Sequence, residues 1–507
     1  MSNRRRFLFG AGVLAAGSAA CAAWPSQREG APAPKEKLAA GDQPPSSPHG
    51  QLGEVVRADD VAQRGPGATG RPNFIVILAD DLGWGQIGAY GQSKIRTPRI
   101  DQLAKEGLLF TDAYASAPVC APSRASLLTG LHAGHNPVRR NPPKEGELPL
   151  PAGTRTIGDV LQSVGYKTGL FGKWGFGRNS ADEGSHPNAR GFGEFFGYMT
   201  HHQAKSYYPR FLWNNRNRVP LPGNFDDYGA LYGPDLIMDR ALEFVEANKD
   251  DPFLLMLTLP LPHAPSVIGD LGPYRNRDWS PANKTHASQI TRLDAYVGVL
   301  IDTLKRNDLD ENTIVVFTGD NGAHEENGVE PAFFNASGPY KGIKRNLYEG
   351  GTRVPFIVWS PKLLRRTVRK RTTHPMAHYD LMATMADYAG ARTPKNDGLS
   401  LRRVLNGTGG APKHEYLYWL RLHAGSTKTH RSLEKGRGRQ CSAAVRFGNW
   451  KLIGWAPGHE YSAPNGRWTY ELYDLSKDPG ERKDLAKSRP AIVNRGVRYI
   501  RQAWRAP

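Results

Sequence analysis

Cysteine is scarce. The 507-residue chain has three, Cys21, Cys120 and Cys441. Three cannot build a disulfide framework, so stability must come from a hydrophobic core, and the chain is long enough to bury one. Long apolar runs are scarce too. The stretch from Phe7 to Ala20 is too short to span a bilayer, and nothing later is longer, so no transmembrane anchor is expected. Acidic residues are in the minority, 48 Asp+Glu against 67 Lys+Arg, a formal net charge of +19. Such an excess favours an anionic partner: nucleic acid, anionic lipid or an acidic polymer. A genome-wide arginine bias would produce the same excess. What is present is ordinary globular usage, 39% hydrophobic and 23% charged. That excludes a wholly disordered chain, a collagen-like fibre and a polytopic membrane protein. The length suits one large domain with a smaller one, or about three.

Asn3-Arg4-Arg5-Arg6-Phe7-Leu8, the apolar run behind it and the small residues around Ala20 to Ala23 have the layout of a secretory signal. The arginine pair before Phe-Leu is similar to a twin-arginine signal. Residues 1–23 are therefore expected to be a twin-arginine-type signal peptide read by the twin-arginine export machinery. The expected location is periplasmic or extracellular. Cys21 is a candidate lipid-anchor cysteine, although Ser18 stands where a lipobox usually has Leu. Export disfavours nucleic acid as the anionic partner. Residues 24–70 are rich in Ala, Pro, Gly and Gln and show no periodicity. They are expected to form a disordered linker, because too little apolar surface is available to offset chain entropy.

Buried strands are expected at Phe74 to Ala79, Tyr166 to Phe171, Phe253 to Leu259, Thr313 to Thr318 and Val354 to Trp359, each an almost continuous apolar run. Helical spacing separates them: Ile100 to Leu108, Ile157 to Val164 with Thr156 as N-cap, Leu236 to Val245, and Ile290 to Leu304. The alternation predicts an α/β fold with a large central, mostly parallel sheet flanked by helices, over residues 71–400. From Leu401 the pattern shifts to short strands of mixed polarity and a closing helix from Ile492 to Trp504. Residues 401–507 are expected to form a smaller antiparallel sheet plus helix. In parallel sheets ligands bind beyond the carboxyl ends of the strands. Four of the five predicted strands deliver a reactive group there: Asp80-Asp81, Lys173, His263 and Asp320-Asn321.

Asp80, Asp81 and Asp320 would converge at one edge and repel one another. A divalent cation resolves this. Carboxylate and amide oxygens without a Cys or His cluster point to a hard ion, Ca²⁺ or Mg²⁺. Cys120-Ala121-Pro122-Ser123-Arg124 reads as the start of a helix that stops at Gly130. Its N-terminus favours an anion, and Arg124 lies one turn along on the same face. A plain Cys120 there would be a thiolate nucleophile, but a soft thiolate is a poor partner for a carboxylate-bound hard ion. An oxygen at position 120 fits better.

At these residues the chain resembles the type I sulfatases of the arylsulfatase A kind, within the alkaline phosphatase superfamily. The resemblance rests on Cys120-Ala-Pro-Ser-Arg124 with Thr129-Gly130. Asp80-Asp81-Leu-Gly-Trp-Gly85, Gly172-Lys-Trp174, Pro262-His263-Ala-Pro265, Gly319-Asp-Asn-Gly322 and Glu349-Gly-Gly-Thr-Arg-Val-Pro355 support it. It implies that Cys120 becomes Cα-formylglycine through a formylglycine-generating or sulfatase-maturating enzyme that reads Cys120, Pro122, Ser123 and Arg124. It implies Ca²⁺ held by Asp80, Asp81, Asp320, Asn321 and residue 120. Arg124 and Lys173 would stabilise the residue-120 oxygen. Lys173, His263 and Lys344 would bind the sulfate, His263 as acid at the leaving oxygen. Lys344 has the family's spacing to Glu349; Lys341 is the competing match.

The family commonly has Gly-Lys-Trp-His, and here Gly175 replaces that histidine. The His201-His202 pair would be a substitute, with His202 a candidate substrate contact. The implied substrate is a sulfated carbohydrate or an aryl sulfate. A phosphonate monoester or phosphodiester hydrolase and a non-catalytic sulfated-glycan binder are the rival readings. Arg365-Arg366, Arg369-Lys370-Arg371 and the stretch Arg421 to Arg439 are basic clusters, either solvated loops or a rim for a sulfated polymer.

Overall fold

The computed structural model describes residues 70–142, 147–364, 370–422, 427–458 and 467–505. The signal, Cys21, the linker up to residue 69, and Arg365, Arg366 and Arg369 lie outside the described residues.

Ten strands form one sheet. In spatial order they are Arg371–Thr372, Leu108–Phe110, Phe356–Trp359, Thr313–Gly319, Asn73–Ala79, Phe253–Thr258, Lys167–Lys173, Glu194–Tyr198, Phe211–Asn214 and Asn217–Pro220. The five from Thr313–Gly319 to Glu194–Tyr198 run parallel. Asn73–Ala79, Phe253–Thr258 and Thr313–Gly319 are buried at every residue. That is why they read as unbroken apolar runs: helices cover both faces. Two hydrophobic clusters lie on the two sides of the sheet, with Ile75 and Ile77 in one and Phe74, Val76 and Leu78 in the other. The alternation follows from the period of two along a strand.

Phe356–Trp359 is antiparallel to Thr313–Gly319. Its start therefore lies at the edge where its parallel neighbours end, which brings Lys344 to Arg353 there. The helix expected to reach Leu108 ends at Glu106, with Gly107 as its C-cap. Leu108–Phe110 is instead a strand antiparallel to Phe356–Val358. The hairpin Phe211–Asn214 and Asn217–Pro220 was not expected. It turns through Asn215, an Asn at φ 51°, a conformation Asn tolerates. Thr156 caps the helix Ile157–Gln162 in a reciprocal capping box with Asp159.

Leu417–Arg421, Ser442–Phe447, Trp450–Trp455 and Thr469–Asp474 form the expected antiparallel sheet. The closing helix Pro490–Ala503 packs on it, and Cys441 is buried in its core. This sheet is bound to the short helix Glu349–Thr352, just before the strand Phe356–Trp359, through buried charge: Lys451 meets Glu349 at 2.7 Å. No helix among the described residues is long and apolar enough to cross a membrane. Arg421, counted above with a basic surface cluster, is buried and paired with Glu434 at 2.6 Å.

Candidate active site

The four strands that end in reactive groups are consecutive in the sheet: Thr313–Gly319, Asn73–Ala79, Phe253–Thr258 and Lys167–Lys173. At about 4.8 Å per strand they span roughly 14 Å, so long side chains can meet. Asp81 has φ 67°, an uncommon conformation for a non-glycine residue. Its amide N–H donates to Asp320 Oδ1 at 3.0 Å, and its Oδ1 accepts from Asn321 Nδ2 at 2.7 Å.

Cys120 begins the helix Cys120–Thr129, all of whose residues are buried and which stops at Gly130 with φ 70°. The thiol lies 3.2 Å from Asp80 Oδ1 and 3.8 Å from Asp81 Oδ1. Lys173 Nζ is 2.6 Å from Asp80 Oδ2, and Lys344 Nζ is 2.6 Å from Asp81 Oδ2. Arg124 Nε donates to Asp320 Oδ2 at 2.8 Å, and its Nη2 is 3.4 Å from Asp80 Oδ2. His263 Nε2 is 3.6 Å from Asp81 Oδ2. These residues, named from the sequence, therefore form one buried cluster. Lys341 does not join it; its ammonium sits 3.6 Å from the Tyr348 ring centroid. Ser123 and Pro122 are buried in the first turn. His202 is exposed, and its backbone N–H donates to Glu147 Oε1 at 3.3 Å. Its ring makes no hydrogen bond to the cluster among the described residues.

Electrostatics separate the roles. Burial alone would raise the Asp80 carboxyl, but the Lys173 and Arg124 charges overcome it and hold it well below the ordinary range. Burial and the neighbouring Asp80 charge push Asp320 up to about 7. Burial, then Asp320 and Asp80, push the Cys120 thiol well up. An unmodified Cys120 is thus a protonated thiol, not the thiolate its helix position alone suggested. Burial and the Lys344 charge hold His263 down at about 3, so its ring is neutral.

A divalent cation fits this cluster. Ligand atoms of Asp80, Asp81, Cys120 and His263 lie within 4.8 Å of one another. Asn321 Oδ1 is buried without a hydrogen-bond partner, a cost that a ligated ion removes. Asp80, Asp81 and Asp320 converge here, and a cation relieves their mutual repulsion. The donors are mainly hard oxygens, as Ca²⁺ or Mg²⁺ requires.

Two groups went unread in the sequence. His324 is buried, with Nε2 3.0 Å from Pro262 O and Nδ1 3.1 Å from Glu326 Oε2. Glu326 in turn pairs with Arg345 at 2.6 Å. The position of His324, three residues after Asn321, was the available signal. Glu147 meets His201 Nδ1 at 3.1 Å, a pairing no local pattern announces.

The sulfatase family model matches residues 72–391. Human arylsulfatase A is 32% identical over 457 residues, covering 82% of this chain and 83% of that protein. An N-acetylgalactosamine-6-O-sulfatase of Bacteroides thetaiotaomicron is 28% identical over 489 residues, covering 83% of this chain and 91% of that protein. The crystal structure of Ps i-CgsB superposes with a TM-score of 0.70 at 29% identity, covering 86% of this chain and 93% of that one. The buried Asp–Lys–Arg cluster around Cys120 thus lies within a matched domain of 320 residues, and the chain belongs to the sulfatases, sulfuric ester hydrolases of alkaline phosphatase-like fold.

Proposed function

We propose that this sulfatase hydrolyses sulfate monoesters of a carbohydrate outside the cytoplasm, with residue 120 acting as Cα-formylglycine beside a bound Ca²⁺. One observation carries the reading: the residue-120 side chain is buried among three carboxylates and three cations. Asp80, Asp81 and Asp320 face Lys173, Lys344 and Arg124. A divalent cation would leave two positive charges in excess, the sign an anionic ester needs. Asp80, Asp81, Asp320 and Asn321 would hold the cation, which when bound supplies Lewis-acid stabilisation of oxygen charge. The hydrated aldehyde would supply the oxygen nucleophile.

The chain's own residues do the rest. Lys173 and Lys344 are placed to bind sulfuryl oxygens and stabilise charge that grows in the transition state. Arg124 orients Asp320 and Asp80. His263, neutral in the free protein, gains basicity when an anion offsets the Lys344 charge, so it can carry a proton to the leaving oxygen. The basic surplus and the signal-like N-terminal sequence support a sulfated saccharide, and similarity to an N-acetylgalactosamine-6-O-sulfatase supports the same class.

Two measurements test this. Mass spectrometry of the tryptic peptide containing Cys120, from the native host, should show conversion of the thiol; an unconverted thiol refutes the mechanism and leaves the glycan-binder reading. Sulfate release from a panel of defined sulfated saccharides should exceed phosphonate release from an aryl phosphonate monoester. The reverse order would favour the phosphonate hydrolase reading.

A further inference from the structure

Arg345 directly follows Lys344 and has φ 82°. A non-glycine residue adopts that left-handed backbone only at a cost. Two hydrogen bonds hold it there. Its N–H donates to Pro118 O at 2.8 Å, and its carbonyl accepts from Arg421 Nη1 at 2.8 Å. Pro118 is two residues before Cys120, so the turn carrying Arg345 is fixed against the start of the residue-120 helix. Glycine would take this turn at less cost, so the strain points to the side chain. Arg345 Nη2 lies 2.6 Å from Glu326 Oε1, and Lys344 Nζ lies 3.7 Å from the same oxygen. The two cations thus flank one carboxylate oxygen. The Lys344 side chain is only 3% exposed, whereas Arg345 is 16% and Glu326 22% exposed. Arg345 therefore stands on the solvent side of Lys344. Its Nη1 has no hydrogen-bond partner among the described residues, which leaves a donor uncommitted.

The short helix Lys428–Leu433 is seated on the same spot. The N–H groups of Thr429 and His430 donate to Glu325 Oε1 at 2.9 and 3.3 Å. Asn346, next to Arg345, donates from Nδ2 to Glu434 Oε1 at 2.8 Å. His430 and Glu434 are buried, while Lys428 and Arg431, three residues apart and so on one side of the helix, are exposed. Neither has a carboxylate partner among the described residues.

We infer that Arg345, Lys428 and Arg431 form a second anion subsite beside Lys344, fitted to a saccharide that carries a further sulfate or carboxylate besides the ester being cleaved. Arg345 offers its guanidinium fork to that group. Lys428 and Arg431 attract the more distant charges of the saccharide, an attraction that salt weakens. The substrate class is thus a polyanionic saccharide and not a singly sulfated one. An aryl sulfate reaches Lys344 but leaves this subsite empty. The inference rests on the sulfatase reading above.

The test uses the full-length mature protein with nitrophenyl sulfate as substrate and two inhibitors, inorganic sulfate and dextran sulfate. Dextran sulfate should compete with nitrophenyl sulfate and bind more tightly per sulfate group than inorganic sulfate does. Arg345→Gln should raise the dextran sulfate inhibition constant roughly tenfold. That rise should exceed the change in KM for nitrophenyl sulfate and in the inhibition constant of inorganic sulfate. An equal rise in all three would make Arg345 a support for Lys344 and overturn the proposal. Lys428→Gln combined with Arg431→Gln, both at exposed positions, should raise the dextran sulfate constant about fivefold, and this pair decides should Arg345→Gln not fold. Arg495→Gln combined with Arg498→Gln removes the same charge from the closing helix and should change the constant less than about twofold. An equal effect of that control would reduce the binding to general charge and overturn the proposal. So would non-competitive inhibition, or an unchanged constant in the subsite variants. No turnover of nitrophenyl sulfate by the mature wild type would overturn the sulfatase reading itself. Normal turnover with a failed inhibitor series overturns this inference alone.

Discussion

Lys451→Met probes how the small sheet supports the catalytic edge. Lys451 and Glu349 are fully buried, and Nζ lies 2.7 Å from Oε1. Removing one partner of a buried pair costs about 3–5 kcal/mol. The lower end is expected here. Glu349 keeps Arg353 at 2.6 Å and the Tyr114 hydroxyl at 2.7 Å. The neighbouring Glu481 accepts the Glu349 N–H at 2.7 Å and is already pushed up to about 8 by burial, with Lys451 opposing. Without Lys451 it holds its proton more firmly, so it adds no uncompensated charge to the pocket. A fold of about 440 residues, at roughly 2.1 cal/mol/K each, unfolds with an entropy near 0.9 kcal/mol/K. A loss of about 3 kcal/mol then lowers the thermal midpoint by about 3 °C. Differential scanning calorimetry reads this directly. Because Lys344 keeps its ion pair with Asp81, turnover should fall less than about tenfold. Combining Lys451→Met with Glu349→Gln should restore at least about 1 kcal/mol over the additive sum. A midpoint within about 1 °C of wild type, or strict additivity, would refute the argument that this pair is coupled and stabilising.

Lys344→Ala should lower kcat with nitrophenyl sulfate by roughly 100-fold, because it removes a buried cation from the site. Lys341→Ala should stay within about twofold, since its ammonium lies over Tyr348; the opposite order would show that the two lysines have been misassigned. Chelation by EDTA should abolish turnover and lower the thermal midpoint, with Ca²⁺ restoring both. At one hundred times its dissociation constant a ligand adds about 2.7 kcal/mol, and no movement in either readout would remove the hard cation from the account. Acid should destabilise the fold before the carboxylates titrate. Burial holds His132, His186 and His201 down at about 4, and His263 and His378 at about 3. A ring whose folded value lies below its unfolded value of about 6.5 contributes stability above that pH and loses it as pH falls toward the folded value. Each costs about 1.4 kcal/mol per pH unit in that window, so urea midpoints should drop steeply between about pH 6.5 and 4. A flat profile there would show that the rings titrate normally.

The central sheet was legible because strands buried on both faces cannot hide polar residues. The runs at Phe74 and Thr313 could be little else, and the reactive residues that followed them had to gather at one edge. Leu108–Phe110 misled, because Leu108 extends the helical spacing of Ile100 and Leu103; only Gly107 ends that helix, and only Phe356–Val358 supplies the pairing partner. The edge hairpin at Phe211 to Pro220 carried too little apolar pattern to stand out, since it pairs on one side only.

The sequence by itself determined the family, the motif around Cys120 and the carboxylates near it, because these are written in contiguous residues. Tertiary structure decided what depends on groups distant in the chain. It chose Lys344 over Lys341 by placing one on Asp81 and the other over Tyr348. It raised the Cys120 thiol by surrounding it with Asp80 and Asp320, where the helix terminus alone implied a thiolate. It separated His201 from His202: adjacent in sequence, one ring is buried against Gly175 and held by Glu147, and the other faces water. Neighbouring residues on a turn point in different directions, and only the packing around them says which one is buried.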